Sequence, residues 1–188
     1  MSRDQALRAA ISLVQVPSHV RAQRLAPLPK GTLLLLGVAA GDPDSEREAA
    51  QLIDRSPDLI RHAAGFFIEQ ILLTPGTDCY RLLGAQPNAS NNELRTHMAL
   101  LMRWLHPDMD PEGQRSLFAG RVIQAWDNLK TAERRSLYDA SLAGIADKSR
   151  TKKTWRVKPR LHRLNSGHPS RLRRILSQLL NRSSDSTR

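Results

Sequence analysis

Few residues of this 188-residue chain are spaced for catalysis or for metal binding. The single cysteine, Cys79, has no Cys or His partner at zinc-ligand spacing, and one cysteine cannot form an internal disulfide. Gly31, Gly37 and Gly41 are not followed by the Lys-Ser/Thr pair of a phosphate-binding loop. Because no nucleophile–base set is present either, the sequence predicts a protein that is not an enzyme and uses no metal or cofactor.

The polar residues with the most specific setting are His106 and Asp108, which are separated by Pro107. Proline lacks an N–H and clashes with the preceding helical turn, so it ends the helix before it and biases His106 away from helical geometry. We therefore expect the tripeptide on a sharp, exposed break between two helices. A carboxylate presented in this way can accept charge-assisted hydrogen bonds from a partner.

Two helices are predicted before this break. Asp78 to Leu83 forms a short helix that is closed by Gly84, a residue that tolerates the left-handed conformation common at helix ends. Ser90 and Glu93 have the spacing of a capping box, in which the hydroxyl and the carboxylate each satisfy a backbone N–H. A helix of four turns follows, with apolar residues on one face: Leu94, Met98, Leu101, Met102 and Leu105.

Two further helices are predicted after the break. The first extends from about Glu112 to Leu129, and a short last helix covers residues 132–138. Helical spacing predicts the buried residues of the longer one: Phe118, Val122, Ala125, Trp126 and Leu129.

Residues 78–139, about a third of the chain, resemble a J-domain, the module of DnaJ-type co-chaperones that activates DnaK-type ATP-driven chaperones. The matching pieces occur in the family's order: Tyr80-Arg81-Leu82-Leu83-Gly84, Ala89-Ser90 before Glu93-Leu94, His106-Pro107-Asp108, Ala125-Trp126 with Leu129, and Arg134-Arg135-Ser136-Leu137-Tyr138-Asp139. The resemblance implies a helical hairpin that docks on the chaperone and stimulates its ATP hydrolysis. It also implies roles: Asp108 accepts from a basic group of the partner, His106 makes a polar contact, and Pro107 aims both.

The chain departs from the family where a basic surface is expected. Most active J-domains carry a Lys-Arg pair seven and six positions before the His, and these positions are Ala99 and Leu100 here. Arg95 and Arg103, with His97 as a weaker candidate, are left to contact the chaperone's acidic surface.

Leu100 and Trp104 lie one helical turn apart on this helix and form an apolar pair. Two interpretations are open. In the first, the N-terminal helices cover the pair. In the second, the pair is a secondary protein contact for a particular chaperone or client.

The N-terminal region, residues 1–76, is predicted to be helical and to pack on the J-domain. Helical spacing of apolar residues over 5–16 indicates a docked helix that ends at Pro17, with a mitochondrial presequence as the weaker alternative. Residues 33–40 are too short to span a membrane and indicate a buried segment. The helix over 57–72 is apolar on most sides, so it must be covered on most sides.

The whole net charge of +11 lies in a basic C-terminal tail. Residues 1–146 hold 16 basic and 16 acidic side chains, whereas residues 147–188 hold 13 basic and 2 acidic ones, which gives 13 − 2 = +11. Three interpretations are open: the short amphipathic helix of this partly disordered tail docks back on the body, or residues 148–182 bind an anionic membrane surface, or they bind nucleic acid.

The sequence therefore predicts an all-α protein with an N-terminal helical region (1–76), a central J-domain (77–143) and a basic tail (144–188). The predicted function is that of a co-chaperone that recruits a DnaK-type chaperone for a restricted client or location. A J-like adaptor or scaffold without ATPase stimulation is the alternative. We expect the protein to be cytoplasmic. Peripheral attachment to a membrane through the basic tail is the alternative.

Overall fold

The computed structural model describes residues 3–109, 113 and 115–155, and this part of the chain is all-helical. The described residues up to Ile145 belong to one compact unit. The α-helices of the described part are α1 Gln5–Gln15, α2 Val20–Leu25, α3 Thr32–Ala39, α4 Pro43–Leu52, α5 Pro57–Phe67, α6 Cys79–Leu82, α7 Asn91–Trp104, α8 Ala119–Leu129 and α9 Ala132–Trp155.

Local capping chemistry sets the start of several helices. Ser56 accepts from the N–H of Leu59, and Pro57 then occupies the first position of α5, where its missing N–H leaves nothing unpaired. Asp42 does the same for α4, which begins at Pro43.

The centre of the core is α5 together with the π-helical turn that continues it, Ile68–Leu72. This segment packs against α1 and α3. The prediction that it is covered on most sides is confirmed by its fully or almost fully buried side chains: Ile60, Ala63, Ala64, Phe67, Ile68, Ile71 and Leu72. The predicted buried segment over 33–40 coincides with α3, which is also buried apart from the half-exposed Leu33.

The segment after Thr77 contributes to the same core. The predicted short helix is α6, capped by Asp78, and Gly84 follows it with a φ of 70°. A Cβ at Gly84 would lie 2.9 Å from Thr32 Cγ2 and 3.2 Å from Leu72 Cδ1. Gly84 is therefore required both for the left-handed turn and for the close approach of α3 and the π-helical turn.

The helix after the tripeptide starts later than predicted. Gly113 adopts a φ of 69°, which no α-helix accommodates, and a 3-10 helix, Ser116–Phe118, precedes the start of α8 at Ala119. Val122, Ala125 and Leu129 are buried as predicted, whereas Phe118 and Trp126 are only half-buried because they flank this packed face.

The last helix is longer than predicted. Instead of ending at Tyr138, α9 extends to Trp155 and so enters the segment predicted as a tail. The sequence explains this length. Between Ala132 and Trp155 there is no proline, and the one glycine, Gly144, destabilises a helix by only about 1 kcal/mol. The predicted amphipathic helix of the tail lies outside the described residues.

Arginine side chains join the N-terminal helices to the segment that follows them. Arg81 donates to the carbonyls of Gln23 and Ala26 at 2.8 and 2.7 Å. Arg121, on α8, donates to the carbonyls of Leu73 and Thr74 at 2.6 and 2.8 Å. Charged donors on main-chain oxygens make strong hydrogen bonds, so these contacts fix the two regions against each other.

A second set of bonds joins α6 to α9. The backbone N–H of Cys79 donates to Tyr138 Oη at 2.7 Å, and Tyr80 Oη donates to Asp139 Oδ1 at 2.7 Å. Arg135 Nε donates to Tyr80 Oη at 2.9 Å. Burial raises the pKa of both tyrosines, so their hydroxyl groups stay protonated near neutral pH.

Candidate functional site

The His106-Pro107-Asp108 turn lies at the end of α7, a helix whose start is fixed by the predicted capping box. Ser90 Oγ accepts from the N–H of Glu93 at 3.2 Å, and the Glu93 carboxylate accepts from the N–H of Ser90 at 2.7 Å. At the other end, the N–H of His106 donates to Arg103 O at 3.1 Å. Pro107 then starts a 3-10 helix, Pro107–Met109, so the chain leaves the axis of α7 at the tripeptide.

The two polar side chains of the turn are exposed and lie next to each other. The side chain of His106 is 60% exposed and that of Asp108 is 86% exposed. His106 Nδ1 lies 3.3 Å from Asp108 N and 3.3 Å from Asp108 Oδ2. A neutral His106 accepts from the Asp108 N–H at this nitrogen, whereas a protonated one donates to the carboxylate. Either form leaves lone pairs of Asp108 available to a partner's donor.

A narrow polar stripe of α7 faces solvent beside the turn. Its exposed residues include Arg95, Ala99 and Arg103, which follow one another at helical spacing. Arg103 Nη2 donates to Gly41 O at 3.4 Å, a long bond to the turn between α3 and α4. Hydrogen bonds from Ser45 hold the pKa of Asp42 below its usual value, and the positive charge of Arg103 adds a smaller effect in the same direction. The charge of Arg103 is thus partly directed to the N-terminal helices.

His97 is not part of this stripe, contrary to the expectation that it adds to a basic surface. Its side chain is buried, and Nδ1 lies 3.0 Å from Leu83 O, to which it donates as the N–H tautomer. Burial lowers its pKa, so the ring is neutral near neutral pH. Its neighbours Leu94 and Leu101 are buried as well, which identifies this side of α7 as core.

The Leu100–Trp104 pair is split between core and surface. Trp104 is only 2% exposed, and α5 packs against its indole at Gly65. Leu100 is half-buried and lines a groove of about 570 Å³ with Leu33 and Leu34 of α3. Trp104 is thus covered and leaves almost no surface for a partner, whereas Leu100 keeps part of its surface in the groove.

One basic residue beside the turn was not predicted from the sequence. The guanidinium of Arg115 lies 4.7 Å from the centre of a Trp104 ring, and its Nε lies 3.4 Å from Glu69 Oε1. No sequence pattern indicates this cluster, since its members come from three separate segments.

Within the described residues no group of three His, Cys, Asp or Glu side chains could hold a metal ion. Cys79 is half-buried, and Asn128 Nδ2 lies 3.5 Å from its sulfur. In the same part of the chain, no helix combines the length and the apolar character needed to cross a membrane.

Comparison with known proteins gives one informative similarity. The chain is 37% identical over 67 residues to the chaperone protein DnaJ of Tropheryma whipplei (strain Twist). The match covers 36% of this chain and 19% of the relative, so the chain spans about a fifth of that protein's length. It supports a J-domain-like segment, and with it a chaperone-related role in general. No protein-family model matches the chain, and no solved structure matches it.

Proposed function

We propose that this protein is a non-enzymatic J-domain co-chaperone, with its J-domain at 77–143, that binds a DnaK-type chaperone and stimulates its ATP hydrolysis. The observation that carries this proposal is the His106-Pro107-Asp108 turn: its two polar side chains are exposed, and it ends a helix whose start, length and packing are well defined. The similarity to a DnaJ protein supports the same class of function.

The proposed roles follow from the geometry of the turn. Asp108 is the charged acceptor for a basic group of the chaperone, and its exposed carboxylate keeps free lone pairs while it contacts His106. His106 offers its second ring nitrogen to the partner. Pro107 holds the two side chains on one side of the break because its φ is fixed. Arg95 and Arg103 supply positive charge on the adjoining stripe of α7.

A second candidate is a J-like adaptor that binds proteins without stimulating a chaperone. Ala99 leaves the middle of the exposed stripe uncharged, and Arg103 is partly occupied by Gly41 O and by the charge of Asp42. Both features reduce the positive potential that a basic docking surface would need. Attachment of such an adaptor through residues 148–182 stays a prediction, since most of this segment lies outside the described residues.

Single-turnover ATP hydrolysis by a DnaK-type chaperone, measured with and without this protein, separates the two candidates. We expect the wild type to stimulate hydrolysis and His106→Gln to abolish the effect, because the substitution removes the imidazole without disturbing a buried contact. His19→Gln is the matched control, since His19 is also an exposed histidine but lies in the N-terminal region, at the end of the 3-10 helix Pro17–His19.

The same experiment can refute the co-chaperone proposal. Absence of stimulation by wild-type protein, with circular dichroism showing that it is folded and helical, would leave the adaptor as the better candidate. Equal losses in His106→Gln and His19→Gln would show that the histidine effect is not specific to the turn.

A further inference from the structure

The segments on either side of the tripeptide meet at one arginine. Trp104 lies two residues before His106, and Arg115 lies seven residues after Asp108. Despite this separation, the Arg115 guanidinium lies 4.7 Å from the centre of a Trp104 ring. An arginine at this distance from an indole is attracted to the ring, and more strongly where the pair is partly shielded from water. The contact therefore joins the last turn of α7 to the chain just before the Ser116–Phe118 helix.

The same arginine is bound to the N-terminal region. Arg115 Nε lies 3.4 Å from Glu69 Oε1, on the π-helical turn Ile68–Leu72. The two side chains are 32% and 36% exposed, so they are only moderately screened by solvent. Trp104 itself is held from behind by α5 at Gly65. The guanidinium of the later flank thus contacts both the earlier flank, at Trp104, and the N-terminal region, at Glu69.

The tripeptide, by contrast, is held by short-range bonds. In the described part of the turn these are the bond from the His106 N–H to Arg103 O and the contacts between His106 and Asp108. Such bonds define the shape of the turn but not the direction in which it leaves the body of the protein. That direction depends on how the two flanks are fixed to each other.

We propose that Arg115, held by Glu69 and stacked on Trp104, is a positioning residue that sets how His106 and Asp108 are presented to the chaperone. This inference rests on the proposed co-chaperone function. It makes Glu69, a residue of the N-terminal region, part of the determinants of chaperone binding. The N-terminal helices would then do more than cover apolar surface.

Three variants test the proposal in the full-length protein. Arg115→Lys keeps the positive charge but loses the planar group that stacks on the indole. Glu69→Gln removes the charge that holds the arginine. Glu46→Gln is the matched control, because it breaks a similar ion pair of the N-terminal region, 2.8 Å to Arg61, that involves neither Arg115 nor Trp104.

Two readouts are needed. The first is the concentration of each variant that gives half-maximal stimulation of the chaperone. This concentration should rise roughly 3- to 30-fold for Arg115→Lys and Glu69→Gln, and it should stay unchanged for Glu46→Gln. The second requires no chaperone: the backbone amide chemical shifts of His106 and Asp108, which should move in the first two variants only. In the double variant, Arg115→Lys with Glu69→Gln, the change in half-maximal concentration should be smaller than the two single changes combined, since both substitutions break one contact network.

The outcomes are distinct. Amide shifts and half-maximal concentrations that match those of Glu46→Gln would overturn the proposal. Moved amides with unchanged half-maximal concentrations would show a purely structural role, and weakened binding with unmoved amides would show direct contact with the chaperone; either result also overturns positioning. If wild-type protein gives no stimulation, the co-chaperone function fails, and the amide shifts alone decide whether Arg115 orients the turn. Glu69→Gln keeps the test valid if Arg115→Lys does not fold.

Discussion

The interface that joins the N-terminal helices to α6–α8 uses its polar side chains differently from the tripeptide turn. At the interface, Arg81 and Arg121 each donate to two main-chain carbonyls of the N-terminal region, and Trp104 is almost completely buried. In the described part of the turn, His106 and Asp108 contact each other, and both side chains remain more than half exposed. Long-range bonds and burial contribute to stability, whereas exposed local contacts contribute little.

This contrast separates residues that hold the fold from residues that are available to a partner. Substitutions at the interface should lower the free energy of unfolding, and those in the turn should change binding while the fold stays intact. The contrast also explains why a part of α7 with little positive charge can still present a defined turn: the packed side of the helix fixes α7, and the contact of Arg115 with Trp104 joins the two flanks of the turn.

The largest effect is expected for Trp104→Ala. Removal of a buried indole leaves a cavity against Gly65, and we expect a loss of about 3–5 kcal/mol in the free energy of unfolding. Urea denaturation followed by circular dichroism measures it. Trp126→Ala is the control, because Trp126 is only half-buried. A loss no larger than that of the control would show that α5 and α7 do not pack as described.

A smaller loss is expected for Arg81→Ala. The substitution leaves the carbonyls of Gln23 and Ala26 without their charged donor, and we expect about 1.5–3 kcal/mol of destabilisation by the same denaturation experiment. Arg95→Ala, on the exposed stripe of α7, should change stability by less than about 0.5 kcal/mol. Equal effects of the two substitutions would contradict the described role of Arg81.

The next effect is a pH dependence caused by His97. Burial holds its pKa in the folded protein below the ordinary value of 6.5. The unfolded chain therefore binds a proton more readily, so stability is fully present above pH 6.5 and falls as the pH drops from there towards the lower folded-state pKa. Each unit of pKa difference corresponds to about 1.4 kcal/mol.

Denaturation curves at pH 7.5 and at pH 5.5 measure this loss, and His97→Gln should reduce it because glutamine does not titrate. The carboxylates with lowered pKa values, such as Asp42 and Glu93, titrate below this window and do not obscure it. An undiminished pH dependence in His97→Gln would assign the effect to another group.

The smallest stability effect is expected for Asp108→Asn. The side chain is 86% exposed, so the free energy of unfolding should change by less than about 0.5 kcal/mol. Stimulation of a DnaK-type chaperone should nevertheless be lost, because a neutral amide replaces the charged acceptor. A clear loss of stability in this variant would remove the contrast between turn and interface.

Local chemistry explains which features could be predicted from the sequence. The Ser90–Glu93 pair caps its helix as expected, because a cap involves residues only three positions apart. The exposed break at His106 follows in the same way from the properties of Pro107. The all-helical fold and the burial of the helix over 57–72 could be predicted from periodicity alone.

Features that depend on distant segments could not be predicted. His97 lies one helical turn after Leu94 and one before Leu101, so spacing alone puts it on the apolar side of α7, but its acceptor, Leu83 O, comes from another segment. The Glu69–Arg115 contact joins residues 46 positions apart, for which no local pattern exists. The predicted end of α9 and the predicted start of α8 were both too early. No residue near Tyr138 ends α9, and the left-handed Gly113 delays the start of α8. Helix ends of this kind are hard to predict from sequence without tertiary packing.

The bonds between α6 and α9 have a consequence for how the chain is made. The partners Cys79 and Tyr138 are 59 positions apart, as are Tyr80 and Asp139. At roughly 5–20 residues per second, a ribosome needs roughly 3–12 s to add these 59 residues. Throughout that interval the four-residue helix α6 lacks the hydroxyl and carboxylate groups that anchor it. The region around the tripeptide can therefore be completed only late in synthesis, after most of the N-terminal core has emerged.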